Sequence, residues 1–361
     1  MREPALGWSA GFSGGVSTDG KNNMIHRILV AGLMLAGLSS TVLASNGRNP
    51  GSLLLFPEFD NRMGMTSIVA VTNVDTDQVA DLHIDVEFAY IGRRESGLDC
   101  EEFNRTERLS AADTFAAFTD VHHPDPEQGY LVCFAKDINT GRPINHNYLT
   151  GNIITLDGYV QFEYSINPVS YRADGDPNFG PGGELLLNGA ADGYSTTPQQ
   201  LVIPRFLGQG GNRVSEMILI GLTGPELPSG AMAGGAHVDT TVDLLVWNDN
   251  EQVFSSEYTF RCWARVELLN ISSLFGNDFL ANYTDDDPDE IQGHSSIESG
   301  WIHAEGALWN SISQWGLDPA VYVVLVETVE NQSTQNSLGM GDLPFEMGIG
   351  LTNGVVNTVQ L

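Results

Sequence analysis

The sequence predicts an all-β protein built as two tandem β-sandwich modules, immunoglobulin-like or jelly-roll-like, with few short helices. Three observations predict it. Short strand-like runs, several of them alternating apolar and polar residues as half-buried sheet does, recur at 52–56, 66–72, 82–91, 129–135, 158–164, 217–222, 241–247, 253–260 and 320–326. One order of short motifs is met twice along the chain. Between the two passes lies a Gly-, Asp- and Pro-rich stretch, from Asp174 to Pro198, which can neither pair nor bury and so reads as a long loop or linker.

Composition sets the outer limits. The chain has 361 residues, 42% of them hydrophobic and 17% charged, which is enough apolar material for a real core. Sixteen Lys and Arg face 46 Asp and Glu, a net charge of −30, and the lysines are Lys21 and Lys136 alone. Neutralising phosphates needs clustered cations, so an electrostatic nucleic-acid binder is excluded. Docking on anionic lipid is disfavoured for the same reason. Such an excess of carboxylates keeps a protein soluble and repels like-charged surfaces, which suits an acidic exported protein.

Taken in order, residues 1–23 precede a second methionine, Met24, that is better placed to begin a leader, and they read as an over-extended N-terminus. The string Gly11-Phe12-Ser13-Gly14-Gly15 lies there. It matches a nucleophile elbow only as letters, because the elbow requires a buried strand, a strained turn and a helix. Residues 24–44 have the parts of a signal peptide: His26 and Arg27, an apolar run to Leu43 broken by Ser39-Ser40-Thr41, and small residues at the cut. A membrane span needs about 20 apolar residues, so cleavage after Ala44 is expected, with no span afterwards and a secreted or periplasmic mature chain.

Residues 45–170 form the first expected module, 171–199 the linker or long loop, and 200–361 the second module. In the first, His83-Ile84-Asp85-Val86-Glu87-Phe88 puts Ile84, Val86 and Phe88 on one face. In the second, Asn248-Asp249-Asn250-Glu251 reads as a hairpin turn, since Asn and Asp tolerate left-handed backbone. Helical periodicity is confined to 271–280 and 304–315, and Gly306 weakens the latter.

The repeated order can be followed through short motifs in both halves. Leu55-Phe56-Pro57-Glu58-Phe59, the run 67–73, the run 84–88, Cys100, Leu109 and Gly129-Tyr130-Leu131 make the first pass. Val202-Ile203-Pro204-Arg205-Phe206, the run 216–223, the run 242–246, Cys262, Leu268 and Gly300-Trp301-Ile302 make the second. This apolar-Pro-x-aromatic opening, followed by an alternating strand and Gly-aromatic-apolar, resembles β-sandwich modules of uncharacterised exported bacterial proteins. The resemblance implies an extracytoplasmic β-sandwich and carries no activity and no site residues.

Three cysteines in an exported chain allow one bridge and one leftover. Cys133 lies in the apolar run Leu131-Val132-Cys133-Phe134-Ala135 and reads as a buried thiol. Cys100 and Cys262 have polar or charged neighbours and matching places in the repeat, so a disulfide between Cys100 and Cys262 is expected. A bridge between Cys100 and Cys133, or three free thiols, are the alternatives.

For metals, Asp174, Asp176 and Asn178 have the alternate-oxygen spacing that aims hard ligands at a Ca²⁺ ion, the one cofactor the sequence suggests. Phe179 stands where such a loop wants glycine, and an ordinary Asp/Gly-rich linker explains the same letters. The acidic run 285–290 and the cluster His122-His123-Pro124-Asp125-Pro126-Glu127 are weaker metal candidates. Gly293-His294-Ser295-Ser296-Ile297 opens like a lipase elbow but lacks its closing glycine, so no catalytic residue is assigned. Trp247, Trp263, Trp301, Trp309 and Trp315 are candidates for stacking on sugar rings, against the default of core packing. The expected function is structural, adhesive or carbohydrate-contacting and non-enzymatic, with an unknown surface polymer or protein as partner. The alternative is a secreted glycoside-type hydrolase whose paired carboxylates converge only in the fold.

Overall fold

The computed structural model describes residues 49–76, 83–93, 101–125, 127–158, 162–223, 238–248, 251–282, 297–311, 315–331, 336–347 and 358–359. The expected leader, the string at 11–15, Cys100, the acidic run 285–290 and the serine string at 293–296 lie outside them.

The first pass supplies β1 (Leu53–Asp60), β2 (Met65–Asn73), β3 (Ile84–Arg93), β4 (Glu101–Leu109), β5 (Thr114–Phe118), β6 (Gln128–Lys136), β7 (Leu149–Asp157), β8 (Phe162–Ile166) and β9 (Val169–Tyr171), with a single helical turn, α1 (Thr119–His122). The connecting stretch holds β10 (Leu185–Leu186). The second pass supplies β11 (Gln200–Leu207), β12 (Arg213–Gly221), β13 (Asp239–Asn248), β14 (Val253–Arg261), β15 (Trp263–Glu267), β16 (Ser299–Asn310), β17 (Trp315–Leu317), β18 (Val321–Asn331), β19 (Asn336–Asp342) and β20 (Phe345–Met347). It also carries α2 (Leu268–Ile271) and α3 (Asn277–Asn282), and β21 (Thr358–Val359) pairs with β10.

Four principal antiparallel sheets result. The first runs β4-β3-β6-β1-β9 and the second β5-β2-β7-β8. The third runs β14-β13-β16-β11-β20, with β17 on β16, and the fourth β15-β12-β18-β19. Strand for strand, the third repeats the order of the first and the fourth that of the second. The four sheets are arranged as a four-bladed β-propeller, which corrects the expectation of two tandem β-sandwich modules. Alternation shows that a strand has one buried face; it does not show which sheet that face meets. Two independent sandwiches would have two cores, whereas here buried side chains of both passes join in one hydrophobic cluster.

Polar groups cross between the passes as well. Arg265 of β15 donates through Nη1 to Glu58 Oε1 of β1 at 2.8 Å and to the Tyr164 hydroxyl of β8 at 2.6 Å. The same guanidinium reaches Glu216 of β12 at 2.5 and 3.0 Å, and Tyr164 also donates to Glu58. Trp263 donates its indole N–H to the Pro57 carbonyl at 3.0 Å.

Both repeated motifs have a physical cause. The register of β1 on β6 shifts between Phe56 and Phe59, and that of β11 on β16 shifts between Ile203 and Phe206. Each shift contains the motif's proline, Pro57 or Pro204, which cannot donate a ladder hydrogen bond and is tolerated at a bulge. The glycine opposite each bulge is required by crowding. A Cβ on Gly129 would meet the Ile91 carbonyl oxygen at 2.1 Å, and one on Gly300 would meet that of Trp247 at 2.4 Å.

The helix expected over 304–315 is strand instead. Ile302, Ala304, Gly306 and Trp309 are buried, and the run from Ser299 alternates with period two as far as Gly306. The helix expected over 271–280 is broken into pieces: α2 ends at Ile271, Ser272 caps a 3₁₀ turn over Ser273–Phe275, and α3 begins at Asn277. Among the described residues no helix is long and apolar enough to cross a membrane.

Candidate functional site

The third sheet turns one face to the core and the other to solvent. Along β13, Val242, Leu244 and Val246 are buried while Asp243 and Leu245 are exposed and Trp247 is half-buried. Along β16, Ile302 and Ala304 are buried while Trp301, His303 and Glu305 are half-buried. On the neighbouring edge strand β14, Val253, Ser255 and Glu257 are exposed. Register then sorts the outward side chains into three rows across the strands. Val253, Trp247 and Trp301 form one; Ser255, Leu245 and His303 the next; Glu257, Asp243 and Glu305 the third.

The two indoles lie flat on each other, with ring centroids 3.9 Å apart and planes 3° from parallel. Beside them is a shallow depression of about 410 Å³ lined by Asp243, Leu245, Ser255, Glu257, His303 and Glu305 among others, within the size range of small-ligand sites. At the acidic end Gln200 Nε2 of β11 donates to Glu305 Oε2 at 3.2 Å. From Trp247 to Asp243 is four strand residues, roughly 13 Å.

The first pass provides an internal control. With the bulges and their glycines aligned, Ile91 and Tyr130 stand where Trp247 and Trp301 do, Ala89 and Val132 where Leu245 and His303 do, and Phe134 where Glu305 does. All five are buried, and the ring of Phe179 from the connecting stretch meets Phe134 edge-on at 6.2 Å. The strand order is therefore satisfied by a covered, largely apolar face, on which Glu87 holds the place of Asp243. The exposed aromatic and polar set on the third sheet is not something the fold requires.

The residues singled out in the sequence fall elsewhere. Asp174, Asp176 and Asn178 are exposed; the Asp176 carboxylate accepts the Asn145 backbone N–H at 3.0 Å, and Asn178 donates its own N–H to the Asp192 carbonyl at 2.8 Å. Among the described residues no group of three or more His, Cys, Asp and Glu side chains is placed to hold a metal ion. Cys133 is a buried free thiol, and Cys262 is held in a disulfide. The repeat does not make Cys262 the counterpart of Cys100: Cys262 joins β14 to β15 in left-handed backbone (φ 59°), as Ala112 (φ 60°) joins β4 to β5, whereas Cys100 precedes β4.

His122 is a core residue. Its Nδ1 pairs with the Tyr90 hydroxyl at 2.8 Å and its Nε2 with Glu107 at 3.3 Å, between the rings of Phe88 and Phe115. Burial holds it below the ordinary histidine value, against the pull of Glu107. Of the tryptophans, Trp263 and Trp309 are buried and Trp315 is exposed on β17. Sequence reasoning found Trp247 and Trp301 but missed Asp243, Glu257, His303 and Glu305. Their signal was the polar phase of two alternating strands, meaningful only once register places them side by side.

Compared with known protein families and with curated proteins, the chain matches none.

Proposed function

We propose that this chain is an exported, non-enzymatic protein that contacts carbohydrate through the solvent face of its third sheet. The observation that carries the reading is the Trp247/Trp301 pair on an open sheet face, next to a row of carboxylates and His303. Stacked indoles give a rigid apolar wall for the C–H faces of sugar rings. Asp243, Glu257, Glu305 and Ser255 supply acceptors for ring hydroxyls, and the His303 ring nitrogens add further hydrogen-bonding capacity. Export rests on the leader at 24–44, and the acidity of the chain accords with it.

The reading is of binding without cleavage because the carboxylates stand on an open face, with Asp243 and Glu257 exposed. A hydrolase needs one carboxyl withdrawn from water, so that it stays protonated to act as an acid. The test is titration calorimetry of the full chain against a panel of neutral and charged oligosaccharides, with product analysis of the same mixtures. Binding without new reducing ends is expected, weakened at least tenfold in Trp247→Ala under conditions where the variant remains folded. Failure of every oligosaccharide to bind, or binding indifferent to Trp247, overturns it.

A further inference from the structure

We infer that the polymer recognised by this face carries free ammonium groups: an oligomer of amino sugar with unacetylated amines, rather than a neutral or anionic glycan. The inference rests on the carbohydrate reading and names the class of sugar. Glu257, Asp243 and Glu305 stand directly opposite one another on three adjacent strands. Like charges in such cross-strand pairs destabilise a sheet, and among the described residues none of the three has a cationic partner.

Elsewhere in the molecule the same kind of position is compensated. Glu87, the counterpart of Asp243, meets Lys136 at 2.9 Å. Asp85 meets Arg108 at 2.8 Å, and Asp239, at the start of β13, meets Arg261 at 2.7 Å. With 16 cations for 46 acids in the chain, compensating cations are scarce. The uncompensated row lines the depression, and the indole pair stands two rows away on the same face of the sheet.

An ammonium group satisfies this arrangement in two ways. It offers three donors to acceptor-only carboxylates, and near the indoles it is attracted to the aromatic ring system. A neutral sugar leaves the repulsion in place, and an anionic one adds to it. The distance from the indoles to the acid row, roughly 13 Å, calls for an oligomer that stacks one unit on the tryptophans and places the amine of another on the row.

The experiment titrates the full chain with three tetramers of β-1,4-linked sugar: glucosamine, N-acetylglucosamine and glucose. The glucosamine tetramer is expected to bind at least tenfold tighter than the other two. Raising the salt and the combined change Asp243→Asn, Glu257→Gln and Glu305→Gln should each remove that advantage. A charge-matched control, Asp120→Asn, Glu163→Gln and Asp342→Asn, neutralises exposed acids off this row and should leave it in place. Equal binding of all three tetramers overturns this inference and leaves the carbohydrate reading standing. Loss of the advantage in the control variant as well means general attraction to an acidic chain, and also overturns it. Binding of none of the three by a folded chain overturns both.

Discussion

Glu346 offers the sharpest thermodynamic prediction. It lies on β20 opposite Leu201 of β11, on the core side of the third sheet, and accepts the Tyr322 hydroxyl of β18 at 3.1 Å. Burial pushes its carboxyl up to about 7 against an ordinary value of 4.5, with the Tyr322 hydrogen bond pulling the other way. The native state therefore holds this proton more tightly than the unfolded chain does. Its contribution is fully present below pH 4.5, is lost as pH rises through 7, and stays lost above. At 1.36 kcal/mol per unit the span is about 3 kcal/mol. Glu346→Gln keeps the shape and cannot ionise, so it should match the parent at pH 4.5 and exceed it by about 2–3 kcal/mol at pH 8. Urea unfolding of both proteins at several pH values measures this, because all other titrations cancel in the difference. A difference that does not change between pH 4.5 and 8 would refute the assignment of a desolvated carboxyl here.

Three further outcomes follow from the same geometry. Arg265→Met leaves Glu58 buried without its partner and should destabilise by about 3–5 kcal/mol; adding Glu58→Gln should recover part of that loss in chemical denaturation. Gly300→Ala places a methyl against the Trp247 carbonyl and the Phe206 ring, and should lose about 1–3 kcal/mol by overpacking, read as a fall in the urea midpoint at constant m-value. Trp247→Ala should abolish the near-ultraviolet circular dichroism of the stacked indoles, with no more than about 1.5 kcal/mol lost beyond the buried area.

The local grammar of the fold was legible wherever one face of a strand is buried. Ile84, Val86 and Phe88 are buried as their alternation implied, and the antiparallel pairing of Trp247 with Val253 closes the hairpin read at 248–251. Strand β4 gave no such signal, because Glu101–Leu109 is an edge strand mostly open to water and its sequence is polar apart from Phe103 and Leu109. Strand β16 was misread in part because Ala304, Leu308 and Trp315 share helical spacing in the sequence, although Leu308 is exposed and Gly306 is demanded by the Pro319 carbonyl beside it.

What the sequence could not convey is how sheets meet. The apolar-Pro-x-aromatic and Gly-aromatic-apolar motifs mark a bulge and the tight approach opposite it, and both are local. The joining of the passes depends on Glu58, Tyr164, Glu216 and Arg265, which are as much as 207 residues apart in the chain. No periodicity announces such a meeting. The binding face was hidden for the same reason, since the row of Glu257, Asp243 and Glu305 exists only through the register of three strands.

The most direct test of the central claim is a titration of the full chain with the glucosamine tetramer, followed by NMR through the indole N–H signals. The signals of Trp247 and Trp301 should move with the ligand, while those of buried Trp263 and Trp309 stay in place. Stationary signals from Trp247 and Trp301 during saturable binding would put the ligand elsewhere and contradict the account.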